Sequence, residues 1–353
     1  MSRYMERAEN TASFLDVNFH LMLDLNKLTA SAARNYWEPL IRVTCDTGRF
    51  KKVHSRYTAQ TVTDFLVFNR ENPNSIRSCI ALARENARST IESISSEMWE
   101  SLNNLYHDLE RADPERARVD AYSFYRDVKM GTQLFQGITE ATLLRNEGHD
   151  FMQVGKHMER ADNTARLVDV KYHMLWSNDK DDRFGSVDVL QWMAVLRSCS
   201  ALEAYRKVHH AKIDPDLILG FLLLDRLFPR SVLFSVVEAL DAMSRISGSP
   251  RGRPLVSCDR LIGKLEAELS YTTIDDVYDR GLHDYLVDLE LNLTGIGNQV
   301  HQTYFAYRTA DPETAERQER ARRNGNKPRH QSQATRSMWR DAEQQQQQQQ
   351  QQL

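Results

Sequence analysis

Apolar positions recur along this chain at the spacing of an α-helix, while the alternation of a strand is scarce. The pattern predicts helices near residues 3–30, 32–56, 58–70, 74–108 and 113–145. Further helices are predicted near 150–177, 186–210, 214–227, 230–247, 257–271, 273–278 and 280–308. Capping chemistry fits two of the starts. Pro73 lies just before Ser75, which can cap the following helix, and Asp113-Pro114 opens the next segment. The stretch 247–254, Ser-Gly-Ser-Pro-Arg-Gly-Arg-Pro, reads as a loop. The expected fold class is all-α, a helical bundle.

The pattern also repeats itself. Residues 5–22 read MERAENTASFLDVNFHLM and residues 158–175 read MERADNTARLVDVKYHML, identical at ten of eighteen positions. Lys52-Val53-His54 answers Lys207-Val208-His209, and Pro73-Asn74-Ser75-Ile76 answers Pro229-Arg230-Ser231-Val232. Order is kept and the offset drifts from 153 to 156 residues, as expected of a duplication with small loop changes. We therefore expect a first helical unit over 1–148 and a second over 149–308, together one domain. Residues 309–353 are rich in Arg and Gln and end in a run of Gln. They hold too little apolar surface to offset their ordering entropy, so a disordered tail is expected there.

On a helical wheel, Ala8, Ala12, Leu15, Phe19, Met22 and Leu23 share one side of the first repeated helix. Glu6, Glu9, Asn10, Ser13, Asp16 and His20 fall on the opposite arc. The second copy offers Glu159, Asp162, Asn163, Arg166, Asp169 and His173. Arg7 and Arg160 sit at the edge of each polar stripe, where a stem lies on apolar surface and a guanidinium reaches a carboxylate. A polar arc on an amphipathic helix ordinarily faces water. Here the two copies keep Glu, Arg, Asn, Thr, Asp and His, and Asn and Thr are not kept for helix propensity. The stripe is thus a candidate for a partner, a ligand or its own twin. Asp16 and His20, like Asp169 and His173, stand four apart on one face and read as hydrogen-bonded pairs. The Glu-x-x-His pair of helical di-metal sites is missing, so neither a metal nor a cofactor is expected. His54 and His209 read as helix-end histidines near the C-terminal dipole.

Composition narrows the classes. Apolar residues make up 41 % of the chain, charged residues 27 %, and the net charge is −3, in the range of globular proteins. That balance gives no reason to expect nucleic acid or an anionic membrane as a partner. No apolar run approaches the ~20 residues of a membrane span, and Met1–Asn10 holds no signal core. Cys45, Cys79, Cys199 and Cys258 lie far apart and read as ordinary buried thiols of a cytoplasmic protein. No GxSxG, GxGxxG or GxxxxGKS stretch occurs, so a serine nucleophile elbow and a phosphate loop are not expected.

Two ordered motifs carry a resemblance. Met5-Glu6-Arg7-Ala8-Glu9-Asn10-Thr11-Ala12, with Asp16 downstream, is one. The other runs from Glu71-Asn72-Pro73-Asn74-Ser75-Ile76 through Ala83-Arg84-Glu85-Asn86-Ala87-Arg88 to Trp99-Glu100 and Leu102-Asn103. With the second-unit stretch from Glu159 to Val170 and the closing helix up to Tyr304, the chain resembles the alpha-E domain proteins over about residues 1–308. These are bacterial all-helical proteins described by a Glu-Arg motif. Members carry a few further turns, with a Tyr-Trp pair, before the first helix, whereas this chain opens at Met1 almost on the motif. Either translation begins late or a start lies upstream. The resemblance implies a neighbourhood: a circularly permuted ATP-grasp protein and a transglutaminase-like peptidase, in a system that forms amide bonds or tags peptides. It assigns no reaction to the alpha-E chain. Carried onto this sequence, its motif positions are Glu6, Arg7, Glu9, Asn10 and Thr11, then Glu159, Arg160, Asp162, Asn163 and Thr164, with Arg84, Asn86, Arg88 and Trp99.

Three readings follow. The chain is a non-catalytic helical component that binds a partner or peptide through its Glu-Arg-Asn face. Or it is an enzyme with an acid–base or metal-assisted site between the two Glu-Arg helices. Or the motif is a buried salt-bridge network that fixes how the two units pack.

Overall fold

The structure, a computed structural model, describes residues 1–28, 36–176, 186–210, 212–250 and 252–306. The tail expected over 309–353 lies outside the described residues. Among the described residues every regular element is helical. The order is α1 (Ser2–Leu28), α2 (Glu38–Val43), α3 (Thr47–Val53), α4 (Ala59–Thr63), α5 (Ile76–Ser89), α6 (Ser96–Arg111), α7 (Arg116–Val119) and α8 (Ala121–Thr142). Then come α9 (Glu147–Trp176), α10 (Ser186–Ser198), α11 (Leu202–His209), α12 (Pro215–Leu223), α13 (Val232–Ser247), α14 (Ser257–Tyr271), α15 (Ile274–Arg280) and α16 (Leu282–Val300). Residues Met1–Tyr304 form one compact unit. The expected boundary at residue 148 falls at the start of α9.

Four expected helices are broken in the structure, among them the one over 113–145, which is α7 and α8. The one expected over 32–56 is α2 and α3, and the one over 186–210 is α10 and α11. The same cap ends α2 and α10. Cys45 takes φ 57° and Ser200 takes φ 51°, both left-handed. Their N–H groups donate to Arg42 and Arg197 carbonyls, and the N–H groups of Asp46 and Ala201 donate to Ile41 and Leu196. This is the Schellman arrangement, usually built on glycine, so the sequence gives no glycine signal for it. The helix expected over 74–108 divides into α5 and α6, because Ser95 turns extended and caps a new start at Met98 N–H. Ser75 and Ser231 cap α5 and α13 through the N–H groups of Ser78 and Phe234.

Helices α1 and α9 sit at the centre. Helix α1 packs against α5, α8, α9 and α10, and α9 packs against α1, α13 and α16. That encirclement decides what happens to the polar stripe. Glu6, Glu9, Asn10, Thr11, Ser13 and Asp16 are buried, as are Met5, Ala8, Ala12 and Leu15 on the apolar side. The amphipathic wheel is thus real in chemistry but both of its faces are covered. Leu23, assigned to the apolar side, is 61 % exposed near the end of α1. Cys45, expected buried, is exposed at its cap, while the other three thiols are buried. No described helix is long and apolar enough to cross a membrane.

The left-handed caps generate a prediction. Ser200 is exposed and stands where an L side chain is strained by ~1–2 kcal/mol. Ser200→Gly should raise unfolding free energy by about 0.5–1 kcal/mol, net of glycine's extra chain entropy, and Ser200→Val should lower it. Urea midpoints at fixed pH read both, and a lower midpoint for the glycine variant would refute the account.

Candidate functional site

The repeated helices exchange charges. Arg7 of α1 donates to Glu159 of α9 through Nε at 2.6 Å and Nη2 at 2.8 Å. Arg160 of α9 donates to Glu6 of α1 through Nε and Nη2, both at 2.8 Å. Each Glu-Arg dipeptide therefore meets the other in reverse, and each contact is a two-bond fork that only a planar guanidinium can make. Glu6 is wholly buried and Glu159 is 3 % exposed.

Neighbouring elements complete the network. The turn before α13 contributes Arg230, which donates to Glu6 at 3.2 Å, to Asn10 at 3.1 Å and also to Glu9. The turn before α5 contributes Asn74, whose oxygen accepts from Arg7 at 2.9 Å and whose amide donates to both oxygens of Asp46. From α8, Gln136 donates to Glu6 and Glu9, and Gln133 donates to Glu9. Arg3 adds a bond to Glu159 at 3.2 Å. Burial alone would raise the Glu6 carboxyl, but Arg160 and Arg230 override it and hold it at about 2. For Arg7 burial acts downward, and Glu159 more than reverses it, so its pKa rises.

The other sequence candidates fall outside this cluster. Asp16 accepts from Lys129 of α8, and His20 Nδ1 lies 3.3 Å from Asp16 Oδ1 but hydrogen-bonds to the Asp16 main-chain carbonyl at 2.8 Å, so the two residues are in contact without the expected carboxylate–imidazole hydrogen bond. On α9, Asp162 pairs with Arg166, four residues on, and Arg166 also reaches Glu290 at 2.7 Å and Cys45 Sγ at 2.8 Å. Asp169 contacts His283 at 2.7 Å, and the side chain of His173 lies outside the described residues. Asn163 has an amide nitrogen with no partner among the described residues. Arg84 donates to Asn103 and stacks over Tyr106, with its guanidinium carbon 4.6 Å from the ring centroid. Arg88 pairs with Glu85 in an exposed contact, and Asn86 is exposed. The Arg84–Arg88 motif thus braces α5 against α6 and is not brought to the Glu-Arg cluster.

A polar cleft of about 570 Å³ opens beside Arg160, between the first turns of α9, the end of α8 and the near side of α13. Sequence reasoning missed it. Its signal was His149, Gln153, Lys156, His157 and Arg160, which share one face of α9 upstream of the motif. Glu140 accepts from Arg145 at 2.6 Å, Gln153 at 2.6 Å and Lys156 at 3.4 Å. Burial pushes the Glu140 carboxyl up, but those donors hold it at about 2. Burial, with Lys156 and Arg160 nearby, depresses His157 to about 3, so its ring is neutral at physiological pH. His157 is 4 % exposed, and its Nδ1 has no hydrogen-bond partner among the described residues. Among the described residues no group of three or more His, Cys, Asp or Glu side chains is placed to hold a metal ion.

Fold and site together define an all-helical protein whose two central helices are locked by reciprocal buried Glu–Arg forks. A family model, described as a predicted alpha-helical domain with a conserved ER motif, matches residues 1–305. The chain belongs to this Alpha-E family. No curated protein and no solved structure matches it.

Removing one partner of such a fork strands a buried charge. Arg160→Met should lower unfolding free energy by about 3–5 kcal/mol, and adding Glu6→Met should restore part of that loss. Denaturant unfolding of the two single variants and the double variant reads the coupling, and strict additivity would refute it. The acid limb follows from Glu6. Its folded-state value of about 2 lies below the ordinary 4.5, so its contribution is full above pH 4.5 and is lost as pH falls towards 2. Glu6→Gln should flatten stability against pH in that window.

Proposed function

We propose that this protein is a non-catalytic helical component of a peptide- or amide-bond-forming system, working beside an ATP-grasp ligase and a transglutaminase-like peptidase, and that it holds a peptide-type ligand in the cleft beside Arg160. The family resemblance supplies the partners. The observation that carries the ligand role is the cleft itself: its volume of about 570 Å³ lies within the ~300–1,000 Å³ of small-molecule sites, and Lys156, His157 and Arg160 are among the residues that line it.

The Glu-Arg face is engaged with its own twin, so recognition falls to the adjoining surface. The same engagement counts against acid–base chemistry between the two helices. Glu6, held at about 2 with both oxygens taken by Arg160, is a poor proton acceptor at neutral pH. Ligand presentation needs no proton transfer from these groups.

Co-expression with the ATP-grasp ligase tests the reading. The two chains should co-purify, and Lys156→Glu should leave the complex intact while cutting product formation about tenfold or more. Failure of the chains to associate, with product formation unchanged in Lys156→Glu, would overturn it.

A further inference from the structure

The cleft's lining carries both signs of charge, and its bonds are unevenly shared. On the α8–α9 side, one carboxylate, Glu140, serves Arg145, Gln153 and Lys156 at once, and Lys156 has the longest of the three contacts at 3.4 Å. Lys156 stands next to Arg160 in the electrostatics of the wall, and burial and that neighbour lower its pKa. Arg160 spends Nε and Nη2 on Glu6, and its Nη1 has only a 3.3 Å contact with the Pro229 carbonyl. His157, uncharged, offers an unused Nδ1 among the described residues. This wall therefore has donors in excess of acceptors.

The α13 side carries one carboxylate, Glu238, and one guanidinium, Arg245. Glu238 accepts no hydrogen bond from any described residue. Asp150, in the first turn of α9, is bonded by Arg245 of α13 at 2.9 Å and 2.8 Å. With Arg145 paired to Glu140 and Arg245 to Asp150, a dianion such as phosphate would meet Lys156 and Arg160 but also the carboxylate of Glu238. A lone cation would meet the reverse. A ligand that carries one carboxylate and one ammonium, separated by a short polar body, satisfies both walls.

We infer, resting on the ligand role proposed above, that the cleft binds a zwitterionic amino-acid derivative or short peptide, with its carboxylate on Lys156 and Arg160 Nη1 and its ammonium on Glu238. Glu140 and Asp150 are already paired, and each end of the ligand meets an opposite charge, so ligand entry buries no new unpaired charge. The recognition is of charge separation and leaves the ligand's side chains to the open mouth.

Calorimetric titration of the full chain tests this with alanyl-alanine and alanyl-glutamate as probes. N-acetylated and C-amidated forms of each, acetate, and inorganic phosphate serve as comparisons. Both free dipeptides should bind, and either capping should weaken binding about tenfold. Lys156→Met should weaken the free dipeptides but not the amidated ones. Glu238→Gln should weaken the free dipeptides but not the acetylated ones. Glu238 is exposed and outside the buried network, so that variant keeps the test valid if Lys156→Met fails to fold. Equal binding of acetate or phosphate would overturn the zwitterion assignment in favour of a simple anion site. No binding of either dipeptide at millimolar concentration would overturn it outright, while co-purification with the ligase would still report separately on the accessory role.

Discussion

The arrangement rests on the exchange of guanidinium and carboxylate between α1 and α9. An ionised group out of water is tolerable only when an opposite charge and enough hydrogen bonds replace its hydration. Glu6 is wholly buried, so its oxygens must be answered, and Arg160, Arg230 and Gln136 answer them. The requirement propagates. Two forks fix the register of α1 on α9, because a shift by one residue would bring like charge to like charge. The glutamines of α8 and the turns before α5 and α13 must then approach at fixed heights to supply the remaining donors. Such a network adds little net stability over a well-packed apolar core, but it penalises alternative registers heavily.

This constraint separates holding from binding. Groups inside the forks are committed to one another. Arg160 is the exception in geometry. Two of its nitrogens belong to the fork, and its third edge reaches the wall of the cleft. A ligand there would feel a guanidinium whose orientation is already fixed, which lowers the ordering entropy of association.

Much of the helical content was legible from the 3.6-residue period, because a long stripe of apolar residues leaves few alternatives. Ser75 at the start of α5 was legible for the same local reason. The left-handed caps at Cys45 and Ser200 were not, since neither residue type announces positive φ. The polar stripe of α1 was visible as a stripe, but periodicity reports which residues share a side and not what covers that side. Only the packing of α5, α8, α9 and α10 around α1 turns it from a solvated arc into a buried one. Arg230 lay in a matched position, opposite Asn74, yet its role needed the fold, because it reaches residues more than two hundred positions away. The Arg84–Arg88 motif shows the converse: a recognisable string whose side chains serve the α5–α6 contact and its exposed edge.

The exchange looks even-handed, but its surroundings are not, and the difference follows from one substitution between matched turns. On the Arg7 side the turn offers Asn74, a neutral amide that passes the interaction on to Asp46. On the Arg160 side the matched turn offers Arg230, a third cation that crosses to Glu6, Glu9 and Asn10. With Glu6 shared between two guanidiniums, Arg160 holds only part of its countercharge, and the potential near its free edge stays positive. Lys156, one turn upstream on α9, shares that positive field, and burial together with Arg160 lowers its pKa. The cleft opens on this under-neutralised side. An asymmetry of a single position, Asn74 against Arg230, thus gives two near-equivalent forks unequal surroundings.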